Sequence, residues 1–202
     1  METKSKKVYG RKFGRKLKNL RADLLEHTLS EFAIHIPESN EKIHVSSLFK
    51  PDYPEYYLEV GFGNGDHLAY MAKQNQDIGF LGVEPFLNGV SYLLKIIHLQ
   101  NIANIKIFPD DGSTLIDALP DQSMDRIYIL FPDPWPKSRH HKRRFVSLEN
   151  ALKLSRVLKN DGQIIIATDI KDLAGFMLKN MLASNQFNWT TNKPSLWNLR
   201  AI

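Results

Sequence analysis

Short apolar runs alternate with longer amphipathic stretches from Tyr56 onward, and this alternation limits the possible folds more than any other feature. It is typical of βα units, which build a largely parallel sheet with helices on both faces. We predict an α/β fold with strands at residues 56–60, 78–83, 105–108, 124–131 and 163–168 and helices at residues 66–74, 87–100, 145–158 and 173–184. The Asn-Asp-Gly run at residues 160–162 is predicted to be a turn.

The length of 202 residues suits one globular domain. We divide the chain into a basic, flexible N-terminal arm at residues 1–22 and one domain at residues 23–202. No apolar run approaches the roughly 20 residues that a membrane helix needs, and charges stand where a signal peptide would be apolar. The chain has no cysteine and its seven histidines lack the spacing of metal hydrolases. These features predict a cytoplasmic protein without a metal.

Positive charge is concentrated in two short segments. Nine of the 27 Lys and Arg residues lie within residues 1–21, and five lie within residues 137–144, whereas the rest of the chain carries 13 bases against 21 acids. Such concentration favours a polyanionic partner such as a nucleic acid. A solubilising tail and a solvated loop remain the alternative.

Each predicted strand is followed by a carboxylate or ends in one. The acidic residues in question are Glu59, Glu84, Asp111, Asp133 and Asp169. Because ligands collect at the carboxyl ends of parallel strands, we expect these side chains to line one site. Helix capping is the alternative for each of them taken singly.

The first of these strand ends carries a glycine-rich turn, Glu59-Val60-Gly61-Phe62-Gly63-Asn64-Gly65. A dinucleotide fingerprint would need its third glycine at position 66, which is Asp. The spacing E-x-G-x-G-x-G with an acid after the second strand instead favours S-adenosylmethionine over a nucleotide cofactor. Glu84 is placed to accept hydrogen bonds from the ribose hydroxyls.

The segment at residues 131–145, FPDPWPKSRHHKRRF, holds three prolines within five residues, so we predict a stiff loop that is neither strand nor helix. Asp133 offers an acceptor for the N–H groups of a guanine edge, and Trp135 offers a ring for base stacking. The basic residues that follow suit phosphate contacts. A proline-bounded turn with a core tryptophan is the alternative.

With these motifs, the chain resembles the bacterial tRNA (guanine-N7)-methyltransferases over most of its length. The matching elements are residues 10–15, 58–65, 82–85 with 89–90, and above all 131–144. The resemblance implies a Rossmann-like class I methyltransferase fold, S-adenosyl-L-methionine as methyl donor and tRNA as partner. The implied reaction is methylation of guanine at N7, in the tRNA variable loop. Whether the protein is a monomer or a homodimer is left open.

The resemblance also assigns site residues. The implied cofactor-binding residues are Glu59, Gly61, Gly63, Glu84, Asp111 and Asp133. Asp133 is also the implied catalytic residue, an active-site acid beside both cofactor and base, and our hypothesis is that it orients the base and stabilises the developing charge. The implied substrate and RNA contacts are Lys137, Arg139, His140, Lys142, Arg143, Arg144 and Asp169, and we expect further RNA contacts from Lys6, Lys7, Arg11, Lys12 and Arg15.

One family feature is absent from the sequence. Family members usually carry a C-terminal Thr-x-x-Glu motif that helps to form the guanine pocket, but Thr190 and Thr191 are followed at the third position by Lys193 and Pro194. We therefore expect a C-terminally shortened domain with weakened guanine binding. The alternatives are a tRNA-binding protein made inactive by this truncation, a partner subunit, and a methyltransferase acting on a small molecule.

Overall fold

The computed structural model describes residues 11–17, 20–38 and 41–190. Its centre is a five-stranded sheet with the order β3-β2-β1-β4-β5 and only parallel pairs. The strands are β1 (Glu55–Val60), β2 (Ile78–Val83), β3 (Ile105–Phe108), β4 (Met124–Leu130) and β5 (Leu158–Ala167). All six residues of β2 are buried, as expected for a strand covered on both faces. The predicted mostly parallel α/β sheet is confirmed.

Helices cover both faces of this sheet. The described helices are α1 (Leu20–His27), α2 (Leu29–Phe32), α3 (Asp66–Gln74), α4 (Leu87–Gln100), α5 (Gly112–Ala118), α6 (Leu148–Val157) and α7 (Lys171–Ala183), with 3-10 helices at Ser46–Leu48 and Ser138–Arg143. Leu58 packs in a core with α5, α6 and α7, whereas its neighbour Tyr57 packs in a core with α1, α3 and α4. Alternate strand residues thus serve opposite layers. None of the described helices has the length and apolarity to cross a bilayer.

Three sequence predictions about elements need correction. Helix α5 was not predicted; it is only seven residues long and begins with Gly112, which has a low helix propensity. The predicted turn at residues 160–162 lies within the bounds of β5, which starts at Leu158, but the left-handed φ expected there is present at Asp161, where φ is 64° and the register opposite Met124 and Arg126 is irregular. The third error concerns the basic segment, which continues as the 3-10 helix Ser138–Arg143 after its proline loop.

The described part of the N-terminal arm is docked on the domain. The carbonyl of Lys12 accepts a hydrogen bond from the amide of Leu87 at 3.0 Å. Asn88 accepts one from the amide of Gly14 at 2.7 Å and donates one to the carbonyl of Arg15 at 2.8 Å. The boundary proposed at residue 22 falls inside α1. Lys6 and Lys7 lie outside the described residues.

Candidate active site

The predicted acidic residues meet at the carboxyl edge of the sheet. In the strand order, β1 lies between β2 and β4, so the crevice above its end is the topological switch point where open α/β sheets bind ligands. Glu59 lies within β1, Glu84 follows β2, Asp111 follows β3, Asp133 follows β4 and Asp169 follows β5.

The glycine-rich turn leaves an open face at this crevice. Gly61, Gly63 and Gly65 all have a left-handed backbone, with φ of 74°, 57° and 81°, which glycine adopts without penalty. A Cβ at Gly61 or Gly63 would have no neighbour within 4 Å. At Gly65 it would lie 2.8 Å from the Leu93 side chain, so this glycine serves packing between the turn and α4.

Glu84 fixes the position of the turn. One carboxylate oxygen accepts a hydrogen bond from the amide of Gly63, and the other accepts one from the amide of Phe86, both at 2.9 Å. Burial raises the pKa of Glu84, the two amide bonds oppose this effect, and the negative charge of Asp133 raises the pKa further.

Glu59 has a partner that the sequence analysis missed. Its carboxylate is 4% exposed and lies 2.7 Å from Nδ1 of His67, on the first turn of α3. The His67 ring in turn contacts the Tyr128 ring, with the centroids 4.9 Å apart. The eight-residue spacing from Glu59 to His67 spans the glycine turn, so only the folded turn reveals the pair. His67 holds the buried carboxylate in place.

Asp111 caps a helix. Its Oδ1 accepts hydrogen bonds from the amides of Ser113 at 2.9 Å and Thr114 at 3.2 Å, at the start of α5. These bonds are those of an N-cap residue, which was the alternative considered for each acid. Its Oδ2 makes neither of these bonds, so a ligand contact by Asp111 remains a prediction.

The proline loop after β4 places Asp133 between two aromatic residues with an unusual backbone. Phe131 has φ of 50° and Trp135 has φ of 42°, values that are uncommon for bulky residues. Asp133 is exposed. The Trp135 ring packs against the guanidinium group of Arg143 at 4.9 Å and against the edge of His140 at 5.9 Å.

The basic segment after this loop, residues 137–144, has some side chains exposed and others partly or fully buried. Lys137, Arg139 and Lys142 are exposed, whereas His140 and Arg143 are half-buried. Partial desolvation and the charges of Arg143, Arg139, Lys137 and Lys142 lower the pKa of His140 below its usual value of 6.5. The exposed cations of this segment are therefore Lys137, Arg139 and Lys142.

The predicted RNA contact by Arg144 needs correction. Its side chain is only 3% exposed, donates to the carbonyl of Pro134 at 2.8 Å, pairs with Asp172 and lies over the Phe176 ring. These partners fix the basic segment to α7. A buried guanidinium group with three internal partners is not available to a phosphate.

Asp169 is exposed just beyond β5, as predicted. A backbone hydrogen bond just beyond the paired part of β4 and β5 brings Asp169 near the proline loop. In this bond the amide of Phe131 donates to the carbonyl of Ala167 at 2.8 Å. Asp133 and Asp169 each follow that bond by two residues. Within the described ranges, no group of three or more His, Cys, Asp or Glu side chains has a metal-binding arrangement.

The site suits S-adenosylmethionine. The cradle above Gly61 and Gly63 is open, since a Cβ there would meet nothing, and the neighbouring carboxylates of Glu59 and Glu84 are hydrogen-bond acceptors. A carboxylate accepts from ribose hydroxyls and attracts the ammonium group of a methionine moiety. Glu84 would hold the ribose, and Glu59 would face the methionine end.

Comparisons with known proteins agree with this geometry. A family model described as a putative methyltransferase matches residues 54–200. The tRNA (guanine-N(7)-)-methyltransferase of Agrobacterium fabrum is 39% identical over 94% of this chain and 81% of the relative. The protein of the same name from Paramagnetospirillum magneticum is 41% identical over 81% of this chain and 69% of the relative.

Solved structures resemble the fold. A precorrin-6y C5,15-methyltransferase from Geobacter metallireducens has a TM-score of 0.54 at 13% identity, covering 80% of this chain and 69% of that one. An antibiotic-related methyltransferase has a TM-score of 0.51 at 16% identity, covering 74% of this chain and 80% of that one. At such identities the likeness concerns the fold alone, which is the Rossmann-like fold of methyltransferases.

Proposed function

Because the chain belongs to the tRNA (guanine-N7)-methyltransferase family, we propose that it transfers a methyl group from S-adenosylmethionine to N7 of a guanine in tRNA. The acceptor in this proposal is the variable-loop guanine that the resemblance implies. The proposed partner is tRNA, and we propose the cytoplasm as the compartment in which the protein acts.

The observation that carries the proposal is the placement of two acidic residues with different tasks at the carboxyl edge of the sheet. Glu84 follows β2 and is tied to the cofactor turn through the amide of Gly63, and Asp133 follows β4 on the other side of β1. Asp133 belongs to the loop that continues into the exposed basic segment. A cofactor acceptor, a base acceptor and phosphate-binding cations therefore follow one another along a single edge of the sheet.

The reaction depends mainly on holding the guanine N7 in line with the methyl group of the cofactor. When bound, S-adenosylmethionine supplies a methyl group that passes to the N7 lone pair in an in-line displacement, leaving S-adenosylhomocysteine and a cationic 7-methylguanine. No protein base has to remove a proton before attack. Holding N7 in line is worth roughly 7–11 kcal/mol in well-oriented systems. Asp133 accepts from the guanine N–H groups, fixes the base, and stabilises the positive charge that develops on the ring.

Asp133→Ala tests this assignment. With labelled S-adenosylmethionine and unmodified tRNA, the wild-type chain should form 7-methylguanosine, detected by nucleoside analysis. Asp133→Ala should lose turnover but keep most of its tRNA affinity, because phosphate contacts dominate that affinity. Asp77→Ala is the matched control, because Asp77 is exposed at the opposite end of β2.

The outcomes separate the competing functions. No 7-methylguanosine from the wild-type chain, with S-adenosylmethionine bound, would favour an inactive tRNA-binding protein. An Asp133→Ala variant with wild-type kcat would reject the role of Asp133. Turnover of S-adenosylmethionine by a protein with no measurable tRNA affinity would favour a small-molecule substrate.

A further inference from the structure

Phe131 has two features that the fold does not require. Its side chain is 62% exposed, although burial of a phenylalanine is strongly favourable. Its φ of 50° is left-handed, which is an outlier for a bulky residue. Unfavourable conformations of this kind persist where the surrounding structure enforces them, and they cluster at functional sites.

The left-handed backbone turns the ring away from the core. Ile127 and Ile129 alternate along β4 and are fully buried in one hydrophobic cluster, so an extended residue 131 would continue toward the same layer. The amide of Phe131 instead ends the ladder with its hydrogen bond to Ala167 at 2.8 Å. The chain then turns, and the ring lies exposed outside the core, two residues before the exposed Asp133.

The other aromatic ring of this loop is already engaged. Trp135 is half-buried, with the guanidinium group of Arg143 over its ring at 4.9 Å and His140 at its edge. Trp135 therefore anchors the basic segment. Within the described part of the chain, Phe131 has no such aromatic or cationic neighbour. From the sequence, base stacking is predicted for Trp135 instead.

We infer that Phe131, and not Trp135, is the surface on which the acceptor guanine stacks, with Asp133 and Asp169 accepting at the edge of the base. This inference rests on the proposed function and adds the residue that contacts the face of the substrate base. An aromatic ring attracts a cation over its face, so the contact strengthens as the base gains positive charge during methyl transfer. Phe131 would then bind the transition state better than the neutral guanine.

Phe131→Gly is the sharpest test, because glycine accepts the left-handed backbone and removes only the ring. Its kcat/KM for tRNA should fall about 5- to 150-fold, the range that base–aromatic stacking supports, while the Kd for S-adenosylmethionine stays unchanged. Phe131→Tyr keeps the ring and should stay within about threefold of wild type. Leu152→Ala removes a comparably exposed apolar side chain from α6 and is the control.

Three results would overturn the inference. The first is a Phe131→Gly enzyme with wild-type kcat/KM, and the second is an equal loss in Phe131→Tyr. The third is a parallel loss of S-adenosylmethionine affinity in Phe131→Gly, which would mean a structural role. The two proposals fail distinguishably: absence of 7-methylguanosine from the wild-type chain overturns both, whereas equal product from wild type and Phe131→Gly overturns only this one.

Discussion

At the scale of single residues, Glu84 combines a structural and a binding task. Both carboxylate oxygens already accept backbone amides, from Gly63 and Phe86, and each oxygen keeps a second lone pair for a ribose hydroxyl. Only the ionised form accepts at both oxygens without placing a proton against an amide. Burial nevertheless raises the pKa of this group, so the folded apo-protein disfavours the form that binds the cofactor.

This conflict predicts opposite pH dependences for binding and stability. S-adenosylmethionine affinity should fall on acidification, starting above the pH at which an ordinary glutamate titrates. The pKa of Glu84 is raised on folding, so its stabilising contribution is fully present below the unfolded pKa and is lost as pH rises through the folded pKa. Calorimetric titrations and thermal unfolding between pH 8 and 4 measure the two effects.

Glu84→Gln is the reference for that experiment. Glutamine accepts at one oxygen only, so one amide loses its partner, and affinity should drop roughly 10-fold or more and lose this pH dependence. The same binding curve against pH in wild type and Glu84→Gln would contradict the role given to the carboxylate.

At the scale of elements, the start of α4 supports the cofactor turn by direct backbone contact. A Cβ at Gly89 would lie 2.1 Å from the carbonyl oxygen of Gly63, a distance that forces either the helix or the turn to move. Only glycine permits this approach, so the position of α4 and the shape of the cradle are coupled.

Gly89→Ala should therefore weaken S-adenosylmethionine binding by about 10-fold or more, because the displaced turn loses its alignment with Glu84. Gly175→Ala is the matched control within α7, where a Cβ would have no neighbour within 4 Å. That change should leave the cofactor Kd unchanged and raise stability by roughly 0.5–1 kcal/mol, since alanine favours a helix interior. Equal cofactor affinity in Gly89→Ala and wild type would refute the coupling.

The elements also show how much of the structure can be predicted from the sequence. Strands β1, β2 and β3 were predicted to within one residue, because continuous apolar runs bounded by turn residues specify buried strands. Helix α5 was missed because it is short and begins with Gly112, although capping was the alternative considered for Asp111. The burial of Arg144 depends on Asp172, 28 residues away, and the exposure of Phe131 depends on a backbone angle. Neither is encoded in local periodicity.

At the scale of the whole molecule, positive charge is concentrated in the exposed basic segment and in residues 1–21, whereas the rest of the chain is acidic in balance. Contacts to phosphate release counterions, so tRNA affinity should fall steeply with salt between about 50 and 200 mM. Arg139→Ala and Lys142→Ala should each weaken tRNA binding and reduce the salt slope by about one, measured by fluorescence anisotropy with labelled tRNA.

Arg144→Ala is the internal comparison in that series. Its loss leaves the carbonyl of Pro134 and the carboxylate of Asp172 without this partner, which should lower stability by about 1–3 kcal/mol and reduce the melting temperature. The slope of log affinity against log salt concentration, measured for tRNA binding by the folded protein, should change by less than the value of about one that the loss of a phosphate contact produces. A slope reduced as much as in Arg139→Ala would show that Arg144 reaches phosphate after all.

The most direct test of the central claim replaces the acceptor atom itself. A tRNA transcribed with 7-deazaguanosine lacks N7 but keeps the phosphates and the guanine N–H groups on which the proposed contacts depend. The wild-type protein should bind it as tightly as ordinary tRNA and transfer no labelled methyl group to it, while methylating ordinary tRNA to 7-methylguanosine. Equal methyl incorporation into the two transcripts would contradict guanine N7 as the acceptor.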